Sequence, residues 1–328
     1  MNPATTPPRL RRLLVESSIA WALLPLGVVV LLGCIYNQDG AFFAWETHRA
    51  MLREISVLGI LACGMTVVVI TGGIDLSVGS VLALSAVSYS LLTLHHGWGS
   101  LSALFSVLGI GAIAGVTSGL LVARARIQPF VVTLATMVFA RGLAKYLSGG
   151  RKVARTLGGP DGGWLFELLD SRMFGNNLAI VTLVFFGCAL VVALVLSRLR
   201  LGRYLYAVGG NQEAARLAGV PVRSALVSAY LLSGVFSALG GVCQAAQETH
   251  GDPETGLGYE LEAIAMVVLG GTSLVGGRGH VGLTMVGALT LGILAKVLSL
   301  NAFSSEARLM LTGVIIVLAV LLQERARR

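Results

Sequence analysis

Apolar runs close to 20 residues long recur along the chain, separated by short polar breaks. Ten can be drawn, at about 19 to 36, 55 to 71, 78 to 94, 101 to 123, 127 to 147, 178 to 197, 224 to 246, 259 to 275, 281 to 300 and 309 to 322. A hydrocarbon layer about 30 Å thick takes about 20 apolar residues per helical crossing. Only 12% of the 328 residues are charged and 55% are hydrophobic, whereas a soluble domain is roughly a quarter charged. A water-soluble fold is excluded on this ground. The runs are continuously apolar rather than alternating, which excludes a membrane β-barrel. Backbone groups in lipid must pair within their own segment, so the expected fold is all-α. It is a polytopic membrane helix bundle of about ten transmembrane helices. Its expected organisation is a tail over 1–18, a transmembrane domain over 19–322 and a second tail over 323–328.

Basic residues set the orientation. Arg9, Arg11 and Arg12 precede the first run, which places the N-terminus in the cytoplasm. With ten crossings the C-terminus returns to that side. Fourteen of the 24 Lys and Arg then fall on inside segments and 7 outside, and Arg141, Lys145 and Lys296 lie within spans. A secretory signal ending at Leu31-Leu32-Gly33-Cys34 is the competing reading of the N-terminus, but no soluble domain follows it. The net charge of +8 sits at loop ends rather than on one polar surface, so no nucleic-acid partner is expected. Cys34, Cys63, Cys188 and Cys243 all fall in apolar runs without ligand spacing, and His48, His95, His96, His250 and His280 are unpaired. Neither a disulfide framework nor a metal site is expected.

Three segments interrupt the apolar pattern informatively. In Thr71-Gly72-Gly73-Ile74-Asp75-Leu76-Ser77-Val78-Gly79-Ser80, two glycines stop one helix, and Asp75 can cap the next. Such a segment is either an interhelical turn or a break inside the membrane whose polar groups line a pathway. Residues 198–223 form the longest inside segment. Within it Asn211 caps a short helix that starts at Glu213 and Ala214 and ends at Gly219 before Pro221. Ala214, Ala215 and Ala218 give it a slim face suited to a partner's groove. Gly270-Gly271-Thr272-Ser273-Leu274-Val275-Gly276-Gly277 repeats the spacing of Gly72, Gly73, Leu76 and Gly79, which points to an internal repeat. Gly111, Gly115 and Gly119, four apart, would let two helices approach closely. No Gly precedes a lysine, so the chain has no Walker phosphate loop.

These residues resemble a known family, the permease subunits of bacterial ABC importers for ribose, xylose, arabinose and galactose. The likeness rests on Gly72 to Ser80, Pro129 to Gly142 (PFVVTLATMVFARG), Ala207 to Val220 (AVGGNQEAARLAGV) and Gly258 to Gly279 (GYELEAIAMVVLGGTSLVGGRG), and covers nearly the whole chain after the first run. His280, Leu283 and Ala295-Lys296 depart from the family pattern. The resemblance implies a subunit of the bacterial inner membrane that binds no cofactor itself. Its implied partners are a cytoplasmic ATPase that uses ATP and magnesium, a periplasmic sugar-binding protein, a second permease subunit and membrane lipid. It implies a translocation pathway at Gly72, Gly73, Asp75, Ser77, Glu262, Thr272 and Ser273, and ATPase coupling through Asn211, Glu213, Ala214, Ala215, Ala218 and Gly219. A furanose or nucleoside permease, an ion-coupled secondary carrier and an intramembrane enzyme are the competing classes. The last lacks clustered catalytic groups.

Overall fold

The computed structural model describes residues 18–155, 159–160, 162–304, 306–307, 310–311 and 313–314. The terminal tails and most of the tenth apolar run lie outside the described residues. Within them the chain forms twelve α-helices and two short β ladders. The helices are α1 (Ser18–Ile35), α2 (Trp45–Ile70), α3 (Val78–Ser90), α4 (Ser100–Ala123), α5 (Pro129–Ser148), α6 (Trp164–Asp170), α7 (Ile180–Arg198), α8 (Arg200–Gly210), α9 (Gln212–Leu217), α10 (Val222–Glu248), α11 (Tyr259–Leu269) and α12 (Val281–Leu300). Seven are long and apolar enough to cross a membrane: α2, α3 with the π-helical turn Leu91–His95 that extends it, α4, α5, α7, α10 and α12. The all-α membrane bundle read from the sequence is the observed architecture.

Local signals place the helix ends. Pro129 opens α5 at a position where no amide partner is needed, and Gly149 closes it at φ 60°. His280 Nδ1 accepts from Gly282 N at 3.0 Å and so caps α12, which gives this departure from the family pattern a local role.

α10 forms the axis of the bundle and packs against α2, α3 and α4. On α4 the expected glycine seam is present. Gly111 faces Gly234 and Ala238, Gly115 faces Tyr230, and Gly119 faces Val227. The descending register makes α4 antiparallel to α10. Every residue of α3 from Val78 to Ser90 is buried, so no face of this helix meets lipid. Gly64 of α2 meets Ser233 and Leu61 meets Gly240, which makes α2 antiparallel to α10 as well. Gly59 meets Phe185 and Ser56 meets Thr182, so α7 runs in the same direction as α2.

One expected span takes a different form. The run 259–275 yields only the 11-residue α11, which at about 1.5 Å per residue covers roughly half the hydrocarbon layer. The other half is crossed without helix. After α10, His250 and Gly251 pair with Ala154 and Val153, and Gly251 packs on Ala86, Val87 and Ser90 of α3. The chain then descends along α3 until Gly256 lies against Gly79. Non-helical backbone at this depth is tolerated because protein surrounds it.

Candidate functional site

Two helix breaks build the centre of the molecule. At the end of α2, Gly72 N donates to Val69 O (2.9 Å) and Gly73 N to Val68 O (3.2 Å), with Gly72 at φ 80°. At the end of α11, Gly271 N donates to Val268 O (2.8 Å) and Thr272 N to Val267 O (3.2 Å), with Gly271 at φ 79°. Both are Schellman turns. The internal repeat thus has a structural counterpart, in a register one residue away from the sequence match: Gly72 corresponds to Gly271, not Gly270. The two turns also touch. Gly277 N donates to Ile70 O at 2.9 Å, and Gly72 lies against Val275 O.

Asp75 occupies the first break. Its Oδ1 accepts from Ser77 N (3.0 Å) and Ser77 Oγ (2.6 Å), and its Oδ2 accepts from Ser233 Oγ on α10 (2.7 Å). The carboxyl is 2% exposed. Ser233 packs at Gly64, six residues before Ile70, so the carboxyl lies roughly 9 Å from the C-terminal end of α2. A buried polar group at such a depth needs its partners, and here both oxygens have them. The cross-helix tie to Ser233, 158 residues away, has no signal in local sequence. Beside it the buried hydroxyl of Tyr230, also on α10, faces Gly73 and has no hydrogen-bond partner.

Of the other pathway candidates, Thr272 and Ser273 are buried in the second break. Thr272 Oγ1 has no partner, and Ser273 N donates to Arg278 O at 3.0 Å. The structure therefore brings Gly72, Gly73, Asp75, Ser77, Thr272 and Ser273 into one region. Glu262 stands apart, half-buried on the first turn of α11, ten residues along the chain from Thr272.

The segment after α7 forms two short helices. α8 is amphipathic, with Leu205 and Val208 buried and Arg203 exposed. α9 follows at once. Asn211 caps it by accepting from Ala214 N at 2.9 Å, and Gly219 follows it at φ 80°. Arg216 pairs with Glu213 at 2.5 Å, and its hydrogen bonds hold the Glu213 carboxyl below the usual carboxylate range. The alanine face divides: Ala215 is buried in the chain's own core, while Ala214 and Ala218 are exposed. Leu217, which sequence reasoning passed over, is 75% exposed on the outer face of α9. A large apolar side chain standing alone on a short helix is the one signal that marks it.

Between α9 and the first break lies a cavity of about 810 Å³. Thr71, Gly72, Gly73 and Tyr230 line it at the break, Gln212 and Arg216 line it on α9, and Arg126 and Arg223 also border it. At the opposite end of the bundle, Arg141 and Lys145 do not simply reach outward as expected of basic residues near a helix end. Arg141 Nη1 donates to Pro253 O (2.5 Å) and Thr255 O (2.7 Å), and Lys145 pairs with Glu254 at 2.7 Å. Both grip the descending loop. Lys296 pairs with Glu54 at 3.4 Å, across α12 and α2.

Known proteins resemble this chain over most of its length. The Escherichia coli K12 protein named ribose import permease protein RbsC is 38% identical over 303 residues, 92% of each chain. The Rhizobium meliloti fructose import permease protein FrcC is 34% identical over 316 residues, 94% of this chain and 86% of its own. The Escherichia coli K12 galactofuranose transporter permease protein YtfT is 36% identical over 292 residues, 88% of this chain and 82% of its own. No solved structure matches. A family model described as branched-chain amino acid transport system / permease component matches residues 49–320. With that extent of match, and with apolar helices built around two touching breaks, the chain belongs to this family of membrane permease components.

Proposed function

We propose that this chain is the membrane-embedded permease subunit of an ATP-driven, binding-protein-dependent importer of a monosaccharide. The observation that carries the reading is the placement of the cavity. It reaches from Gly72, Gly73 and Tyr230 at the broken end of α2 to Gln212 and Arg216 on the exposed helix α9, so one void joins the helix break to a docking element. The relatives described above carry sugar names, and the family description names amino acids; identities of 34–38% favour the sugars.

In this reading the subunit does no covalent chemistry. Gly72, Gly73, Asp75, Ser77, Thr272 and Ser273 border the route, and Glu262 stands nearer its outer entrance. Sugar hydroxyls donate to carboxylates and accept from serine and threonine, so successive weak contacts permit both entry and release. Asn211, Glu213, Ala214, Ala218 and Gly219 present α9 to a cytoplasmic ATPase, with Ala215 holding that helix onto the bundle. The ATPase binds ATP and magnesium, and its cycle switches the permease between facings. A periplasmic sugar-binding protein delivers the substrate, a second permease subunit completes the pathway, and both termini lie in the cytoplasm of an inner-membrane protein.

Reconstitution into liposomes with the cognate ATPase and binding protein tests this. Uptake of labelled ribose, arabinose, fructose or galactofuranose that requires ATP is the expected result. Uptake of leucine but no sugar would reassign the substrate, and ATP-independent uptake driven by an ion gradient would replace the importer with a secondary carrier.

A further inference from the structure

We propose that Gly209 is the positioning residue that passes a displacement of α9 to both helix breaks at once. This rests on α9 being the coupling helix. Three backbone segments from distant parts of the chain meet at Gly209 with no side chain between them. A Cβ there would collide with Ile70 O and stand 2.5 Å from Gly277 N. Those are the two atoms that hydrogen-bond to each other at 2.9 Å, joining the end of α2 to the loop between α11 and α12. The last turn of α8 is therefore seated on the bond that ties the two breaks together.

The loop is shaped to this seat. Gly276, at φ 93°, lies between Gly209 O and Gly72 N, with a Cβ placed 2.8 Å from each. Gly277, at φ 72°, would place a Cβ 2.9 Å from Gly210 Cα. One turn earlier on α8, Tyr206 Oη donates to Gly279 O at 2.7 Å. Backbone contacts have no rotamers with which to absorb a shift, and close-packed interiors transmit strain. Only Asn211 separates α8 from α9, so a push on α9 reaches Gly209 within one helical turn. From there it acts on Ile70, which leads through Asp75 into α3, and on Gly276 to Gly279, which lead into α12.

The neighbouring residue supplies the control. Gly210 has a negative φ, and a Cβ there would meet nothing within 4 Å. Gly209→Ala and Gly210→Ala are to be compared in the complete complex with ATPase and binding protein in liposomes, reading ATPase co-purification, ATP hydrolysis and sugar uptake. Gly209→Ala is expected to keep the ATPase bound and hydrolysing while uptake per ATP falls about tenfold, within the range of a lost coupling between sites. Gly210→Ala is expected to match the unaltered protein. Equal behaviour of the two variants, or normal uptake per ATP in Gly209→Ala, would overturn the assignment. If Gly209→Ala does not accumulate, Tyr206→Phe removes the adjoining hydrogen bond without adding bulk. It is expected to lower uptake per ATP with hydrolysis unchanged, and an unaltered ratio overturns the proposal. Retention of the ATPase by a Leu217→Asp complex would instead remove α9 as the coupling element, a failure seen in co-purification rather than in the uptake ratio.

Discussion

At Asp75 one carboxyl serves two helices. Its Oδ1 organises the entry into α3 through Ser77, and its Oδ2 fastens that entry to Ser233 on α10. Asp75→Asn exchanges one acceptor oxygen for a donor amide that must face a hydroxyl or an amide already donating. Leaving a buried hydrogen-bonding group without its partner costs about 1–3 kcal/mol. We expect Asp75→Asn and Ser233→Ala each to destabilise the solubilised protein by about 1–3 kcal/mol. The double variant should cost clearly less than the two added together, because both remove one shared bond. Thermal unfolding in detergent measures this, and strict additivity would mean that the bond contributes nothing. Sequence made Asp75 conspicuous, since a carboxylate beside two glycines in an apolar region invites attention. Ser233 was not legible, because a serine among the small residues of α10 looks like packing until the fold brings it to Asp75.

Among the elements, α9 separates what its composition merged. Three alanines on a short helix suggest one docking face, but the helix must also rest on something, and Ala215 takes that role. Ala215→Arg should therefore lower the amount of folded protein in the membrane, because it forces an unpaired charge into the core. Leu217→Asp should leave folding and abundance unchanged and release the ATPase. Membrane abundance and ATPase pull-down, measured on both variants, separate the two effects; a docked ATPase with Leu217→Asp would place the contact elsewhere. The α4–α10 seam behaves oppositely, since its glycine spacing alone announced a close approach. Gly234→Val adds bulk where even a Cβ would collide with Gly111 O. We expect it to destabilise the bundle by about 1–3 kcal/mol or more, seen as a lower unfolding temperature. The helix α11 was half legible. Hydropathy cannot tell a full span from a half-helix continued by buried irregular chain, because both are apolar. Only the packing of Gly256 on Gly79 distinguishes them.

For the whole molecule, the packing sorts the loops into two ends without reference to charge. The cavity gathers Gly72, Arg126, Gln212 and Arg223 at one end of the bundle, while Leu94, Arg155, Asp170 and Thr249 surround a smaller cavity at the other. The first end also carries Arg124, Arg198, Arg200, Arg203, Arg216 and Arg278. Alternation of helix direction and the distribution of basic residues are independent observations, and they divide the chain in the same way. Under the proposed function the α9 end is cytoplasmic, as the positive-inside bias expects, and faces the ATPase. Asp39 and Asn176 belong to the opposite end: Gln38 beside the first donates to Asn301 after α12, and Asn177 beside the second accepts from Trp45 at the start of α2. In a cysteine-free background, Asp39→Cys and Asn176→Cys should therefore react with an impermeant thiol reagent in intact cells. Arg203→Cys, exposed on α8, should react only after the membrane is opened. The reverse pattern would invert the molecule in the membrane and leave α9 on the wrong side to meet ATP.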